Sequence, residues 1–250
     1  CSSDGQSLVS MEFNFNNIQG ELPFELSLLT SLTTLSLRNP DENEPYIRGS
    51  LPSHLDSLTA LKSLAISGNM LSSGIPLSFG SWSNLESLDL SNNGLNGGIP
   101  STLGFLSMLT RLDLSGNYLS GLVREEVFDG AKYLVEINLE RNALTGIANS
   151  IVGLDSLRIL NVGDNVLGTF PRHVTQLVNL TSLDLRENEF REELHPSIGR
   201  MKGLQSLNLS GNLFFGTIPV EFRNLEGLTI LLDLRYKNRR GLFTAIIAAH

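Results

Sequence analysis

Apolar and polar positions recur along this chain with a period of about 24 residues, the range in which internal repetition builds a stack of units rather than one closed core. The units open at Met11, Leu64, Leu88, Leu112, Ile137, Leu160, Leu183 and Leu207, with weaker openings at Leu35 and Leu232, giving about ten. Each begins with alternation, as at Leu88 and Leu90 or Leu112 and Leu114. Period 2 puts both leucines on one sheet face and the residues around them on the other, which predicts one short strand per unit. An asparagine follows at a fixed place, at Asn16, Asn69, Asn93, Asn117, Asn142, Asn165, Asn188 and Asn212. A side-chain amide there both donates to and accepts from a turning backbone, so stacked units predict an asparagine ladder that satisfies main-chain groups between coils.

The next apolar residue (Leu71, Leu95, Leu119, Leu144) is often followed by Gly and Ile-Pro, which turn the chain along a second edge. The remainder, as in PSTLGFLSMLTRL from Pro100, has apolar residues three and four apart and predicts a short helix or 3-10 turn on the outer side. A thin strand inside and a bulkier turn outside curve the stack. The expected fold is therefore an α/β right-handed solenoid, with a parallel sheet on the concave face and short helices or 3-10 turns on the convex face.

With the asparagine column and the GxIP edges at Gly97 to Pro100 and Gly216 to Pro219 in view, the chain resembles the plant-type leucine-rich repeats, whose pattern is LxxLxLxxNxLxGxIPxxLxxLxx. The resemblance covers residues 8 to 234. It implies an extracellular or cell-surface recognition domain of a receptor-like protein or receptor-like kinase, supplied as a fragment. The opening CSSDGQSLVSMEF also resembles the end of the N-terminal cap of such domains. The resemblance thereby makes residues 1–10 the remnant of a cap and Cys1 one half of a cap disulfide. The repeat domain then runs over 11–234, and 235–250 is a divergent C-terminal end.

Departures from the pattern carry their own expectations. Between Asn39 and Gly49 the second unit is longer, Pro40 takes the ladder position, and a loop insertion is expected near 40–48. Val123-Arg124, Ala148 and His195 replace Ile-Pro, so the second edge is expected to be irregular over the middle of the chain. Lys237 and Arg239 replace the asparagine and the apolar residue of the last unit, which marks the end of the regular stack.

Composition narrows the partner. The formal net charge is −8, so the chain lacks the excess of Lys and Arg that nucleic-acid binding draws on. One cysteine leaves the redox compartment open. No apolar run reaches the roughly 18 residues of a membrane span, and Leu242 to Ala249 is read as a divergent repeat. His54, His173, His195 and His250 fall in different units without metal-ligand spacing and are read as solvated surface residues. No phosphate loop, metalloprotease or nucleophile-elbow motif occurs, so neither a cofactor nor an enzyme is expected. Asn179-Leu-Thr and Asn208-Leu-Ser are N-glycosylation acceptors. Phe13 and Phe214 stand at consensus leucine places and are expected in the core, with Phe15 and Phe215 exposed.

Alternation also says which residues face outward from the concave sheet. In the early units these are mostly small or neutral, such as Ser63, Ala65 and Ser67, then Ser87, Asp89 and Ser91. Later they become Arg111, Asp113, Glu136, Asn138, Glu140, Arg141, Asn161, Asp164, Asp184, Arg186 and Glu187. Strands about 4.8 Å apart would gather these into one strip, with arginines suited to bidentate bonds with carboxylates. The expected partner is a protein or peptide ligand, with a co-receptor as a further partner. A secreted inhibitor or structural interaction protein and an intracellular scaffold are the alternative readings.

Overall fold

The structure, a computed structural model, describes residues 7–14, 18–39 and 47–231. Asn16, Phe15, His250, Cys1, most of the segment 40–48 and the end beyond Leu231 lie outside these residues. Among the described residues, ten three-residue strands form one all-parallel sheet in chain order: Ser10–Glu12, Thr34–Ser36, Ser63–Ala65, Ser87–Asp89, Arg111–Asp113, Glu136–Asn138, Ile159–Asn161, Ser182–Asp184, Ser206–Asn208 and Thr229–Leu231. Register is exact from coil to coil, with Leu64 opposite Leu88, Leu88 opposite Leu112 and Leu160 opposite Leu183. The alternation requires this, because a slip by one residue would turn every leucine to solvent.

The outer side of each coil is a 3-10 turn. Among the described residues eight of these are five residues long, and most begin directly after a proline or alanine in extended conformation, as at Ser53–Ser57, Leu77–Ser81 and Ser101–Phe105. Proline has φ preset and no N–H to lose there. The third residue of the turn points inward, as Leu55, Phe79 and Leu103 do, and packs on the leucines of the strand side. A single apolar column therefore runs the length of the stack. Its largest member, Trp82, is fully buried, 4.1 Å from the Phe79 ring, and its indole N–H donates to the Leu55 carbonyl one coil back at 3.1 Å. Coils touch closely on this side: a Cβ at Gly104 would lie 1.8 Å from the Glu126 carbonyl oxygen, so the position admits no side chain.

The asparagines form the ladder. Asn117 illustrates it: its Oδ1 accepts the Leu95 N–H at 3.0 Å, and its Nδ2 donates to the carbonyls of Leu90 in the previous coil and of Leu114 and Ser115 in its own. Asn69, Asn93, Asn142, Asn165, Asn188 and Asn212 repeat the arrangement. These amides are nearly all buried, and each satisfies donors and acceptors that the turn leaves without strand partners.

Three expectations change. A second parallel sheet runs along the edge after the ladder, formed by Arg48–Ser50, Met70–Ser73, Gly94–Gly97, Tyr118–Val123 and Ala143–Ile147. It is longest in the middle of the chain, where the missing prolines had suggested irregularity. The reason is that Ala148 retains an N–H and donates it to the Val123 carbonyl at 2.9 Å, a bond a proline cannot make. The sheet ends only after Ile147, with a bulge between Leu144 and Gly146. Phe13 is 45% exposed instead of buried, because among the described residues only one coil packs against its side. Phe214 does join the core edge, stacking with Phe190 at 5.6 Å, and Phe215 is exposed. The histidines are also less solvated than expected: Nε2 of both His54 and His173 is buried without a hydrogen-bond partner, and His54 packs edge-on against Phe24.

Candidate functional site: the concave sheet

The residue between the two inward leucines of each strand faces out of the sheet, and in six successive coils it is Asp89, Asp113, Asn138, Asn161, Asp184 and Asn208. Each is pinned by its own backbone. Oδ1 of Asp89 accepts from the N–H and hydroxyl of Ser91, and Asp113 does the same with Ser115. Asn138, Asn161, Asp184 and Asn208 accept from the N–H of Glu140, Gly163, Arg186 and Ser210. This is the turn-forming habit of Asx side chains two residues before an N–H. It leaves one free corner of every side chain directed at its neighbours.

Those corners are joined laterally. Asn138 Nδ2 donates to Asp113 Oδ2 at 3.3 Å, and Asn161 Nδ2 to Glu140 Oε2 at 2.9 Å. Arg111 reaches Asp113 at 3.6 Å and Glu136 at 3.4 Å. Arg186 bonds both Asp184 on its own strand and Glu140 two coils earlier. Arg38 reaches Asp89 at 3.2 Å across the coil of Ala65, which is itself buried. Burial raises the Asp184 carboxyl above its ordinary range, opposed by the N–H and guanidinium of Arg186, with Glu140 adding to the rise.

The structure thus brings Arg111, Asp113, Glu136, Asn138, Glu140, Asn161, Asp184 and Arg186 onto one face. Arg141, Asp164 and Glu187 stand apart at its rim. They precede a ladder asparagine, where the chain takes positive φ of 56°, 53° and 48°, and Gly68, Gly116 and Gly211 occupy the same place in other coils. Arg141 pairs there with Asp164 at 3.7 Å. The arginines are engaged with carboxylates of the chain itself, and six carboxylates against three arginines leave the predicted strip net negative. Asp89 and Asn208 lie on the same face, as their places between strand leucines imply, and Arg38, which the sequence reading did not single out, joins them through Asp89.

A stack of parallel coils with an asparagine ladder and an ordered polar concave sheet defines a leucine-rich-repeat solenoid. Leucine rich repeat family models match residues 59–119, 121–167, 179–201 and 203–225, more than half of the chain. The chain belongs to the leucine-rich-repeat family, in its plant type. It is 35% identical over 108 residues to Receptor-like protein 39 of Arabidopsis thaliana, an overlap covering 42% of this chain and 12% of that protein. Among solved structures, the plant peptide hormone receptor RGFR1 in complex with RGF2 superimposes with a TM-score of 0.78 at 26% identity, covering 89% of this chain and 39% of the receptor. The Arabidopsis receptor kinase HAESA, in complex with the peptide hormone IDA and the co-receptor SERK1, gives 0.78 at 30% identity, covering 90% and 38%. Among the described residues no helix is long and apolar enough to cross a membrane.

Proposed function

We propose that this chain is a ligand-recognition segment of a plant cell-surface receptor-like protein, holding a peptide or a protein segment along its concave sheet. It recognises and does not catalyse. The observation that carries this reading is the fixed polar surface from Asp89 to Asn208, where six side chains in successive coils are held by their own turns and cross-linked by Arg111 and Arg186. Such preorganisation lowers the ordering cost of binding, and an extended segment with a matching repeat can meet it coil by coil. The likeness to receptors solved with peptide hormones supports the same reading, and a co-receptor is a further expected partner.

The test is selection of binders from a randomised peptide library, followed by affinity measurement on variants. Replacing Arg111, Glu140 and Arg186 by serine should abolish binding of the selected peptides, whereas serine at the convex residue Lys132 should leave it unchanged. Binders indifferent to the concave replacement would sink the reading.

A further inference from the structure

On the convex side, the 3-10 turns Asn149–Gly153, Arg172–Gln176 and Pro196–Arg200 enclose a cleft of about 420 Å³ that includes Arg172, His173, His195 and Arg200 in its wall. Its origin is local. Pro171 turns with ψ of 79°, where Pro100 and Pro219 before equivalent turns have 133° and 141°, so the Arg172 turn is set differently from its neighbours. No carboxylate lines the cleft among the described residues. On a chain of net charge −8 this is a local gathering of cations.

The donors there are incompletely used. Arg200 is exposed and makes no ion pair among the described residues, while Arg172 shares Glu192 at 3.1 Å. His195 Nδ1 accepts the Ser197 N–H at 3.1 Å, with the Ser197 hydroxyl 2.7 Å away. In the neutral ring the proton is then on Nε2, which makes that nitrogen a donor. His173 lines the cleft with its Nε2 buried and, like that of His54 elsewhere, without a hydrogen-bond partner. Burial also lowers the pKa of His173. Neutral donors from Asn149 and Gln176 complete the wall, while the Thr175 hydroxyl is spent on the Arg172 carbonyl at 2.7 Å.

We infer that this convex cleft is an oxyanion site, built to take a phosphate or sulfate group, either as the free ion or as a monoester. Guanidinium forks match oxyanion edges, and donors arriving from three successive turns suit a tetrahedral group better than a planar carboxylate. The site is separate from the concave face and does not depend on the peptide-binding reading.

The experiment follows the imidazole resonances of His54, His173 and His195 in the 250-residue chain by nitrogen–proton correlation spectra. Sodium sulfate, sodium phosphate and phenyl phosphate are titrated in turn at constant ionic strength, with chloride as the balancing ion. The expected result is saturable change at His173 and His195 and none at His54, weakened about tenfold in Arg200→Gln through loss of one charge-assisted bond. Arg186→Ala, on the concave face, should bind normally. Tighter binding of phenyl phosphate than of inorganic phosphate would assign the site to an esterified group, and equal binding to the free ion; both support it. Non-saturating shifts, or saturable binding unchanged in Arg200→Gln, would overturn it. Arg200 is exposed, so its replacement leaves the fold in place.

Discussion

Arg186 bonds Glu140, forty-six residues earlier, by passing over the coil between them. The intervening position is Gly163, where other coils carry Ser91, Ser115 or Ser210, and a Cβ built there would lie 3.0 Å from Arg186 Cγ and 3.2 Å from Asp184 Oδ1. The two ends of the link are partly exposed, with Arg186 at 35% and Glu140 at 21%, so its stabilisation is modest. A double-mutant cycle of Arg186→Ala with Glu140→Gln should give a coupling of about 0.5–1 kcal/mol that shrinks in high salt. A coupling near zero at low salt would mean that the link does not form in solution.

Gly163 is then a spacing residue rather than a flexible one. In a Gly163→Ala background the same cycle should lose most of its coupling, since the methyl group crowds the arginine off its path. Global stability should change little, because the displaced atoms are the middle of a mobile side chain. An undiminished coupling would contradict this.

The ladder is where single substitutions should cost most. Asn117→Ala leaves the Leu95 N–H and the carbonyls of Leu90, Leu114 and Ser115 without that partner in a buried place. Chemical denaturation should show a loss of about 2–4 kcal/mol. Asn92→Ala, at the position before the ladder residue Asn93 one coil back and at a positive φ of 51°, tests backbone strain instead and should cost about 1 kcal/mol. Equal effects at the two positions would deny the ladder its role.

Two groups set opposite pH dependences. The folded pKa of Asp184 is raised, chiefly by burial, so its contribution to stability is fully present below its unfolded value and is lost as pH rises through the folded one. Asp184→Asn, which copies Asn138, Asn161 and Asn208 of the same column, should therefore be neutral or stabilising at pH near 7. The folded pKa of His173 is depressed by burial, so its contribution is present above the unfolded value and is lost as pH falls through the folded one. His173→Gln should flatten the stability profile on the acid side of about 6.5. A profile unchanged by either substitution would refute the corresponding assignment.

The two glycosylation acceptors differ in surroundings. Asn179 is exposed on the convex side and donates only to the Asp155 carbonyl at 3.0 Å. Asn208 lies within the concave sheet, its Oδ1 held by Ser210 and its Nδ2 3.5 Å from Asp184. Peptide mass spectrometry of chain secreted from plant cells should find glycan at Asn179 and none at Asn208. Full occupancy at Asn208 would place a sugar on the proposed ligand face and count against it.

Much of this architecture was legible in the sequence because each coil makes its contacts with the next, so local pattern is also tertiary pattern. The strand leucines, the ladder from Asn69 to Asn212 and the outward position of Asp113, Glu136 and Asp184 all follow from period and alternation. What did not follow depends on contacts between coils that no period encodes. The Arg38–Asp89 and Arg186–Glu140 bonds each skip a coil, and require a small residue, Ala65 or Gly163, in between. The second sheet was hidden because the missing prolines at Arg124 and Ala148 read as lost order, although the Ala148 N–H adds a strand hydrogen bond to Val123. The convex cleft depends on the backbone turn at Pro171, which other prolines in equivalent places do not share.

The most direct test of the central claim is hydrogen exchange of the chain with and without its strongest library-selected peptide. Concave-face recognition predicts slowed exchange along residues 111–115, 136–140, 159–163 and 182–186, with the turns at 149–153, 172–176 and 196–200 unchanged. Protection confined to those convex turns, with the concave strands exchanging as in the free chain, would contradict it.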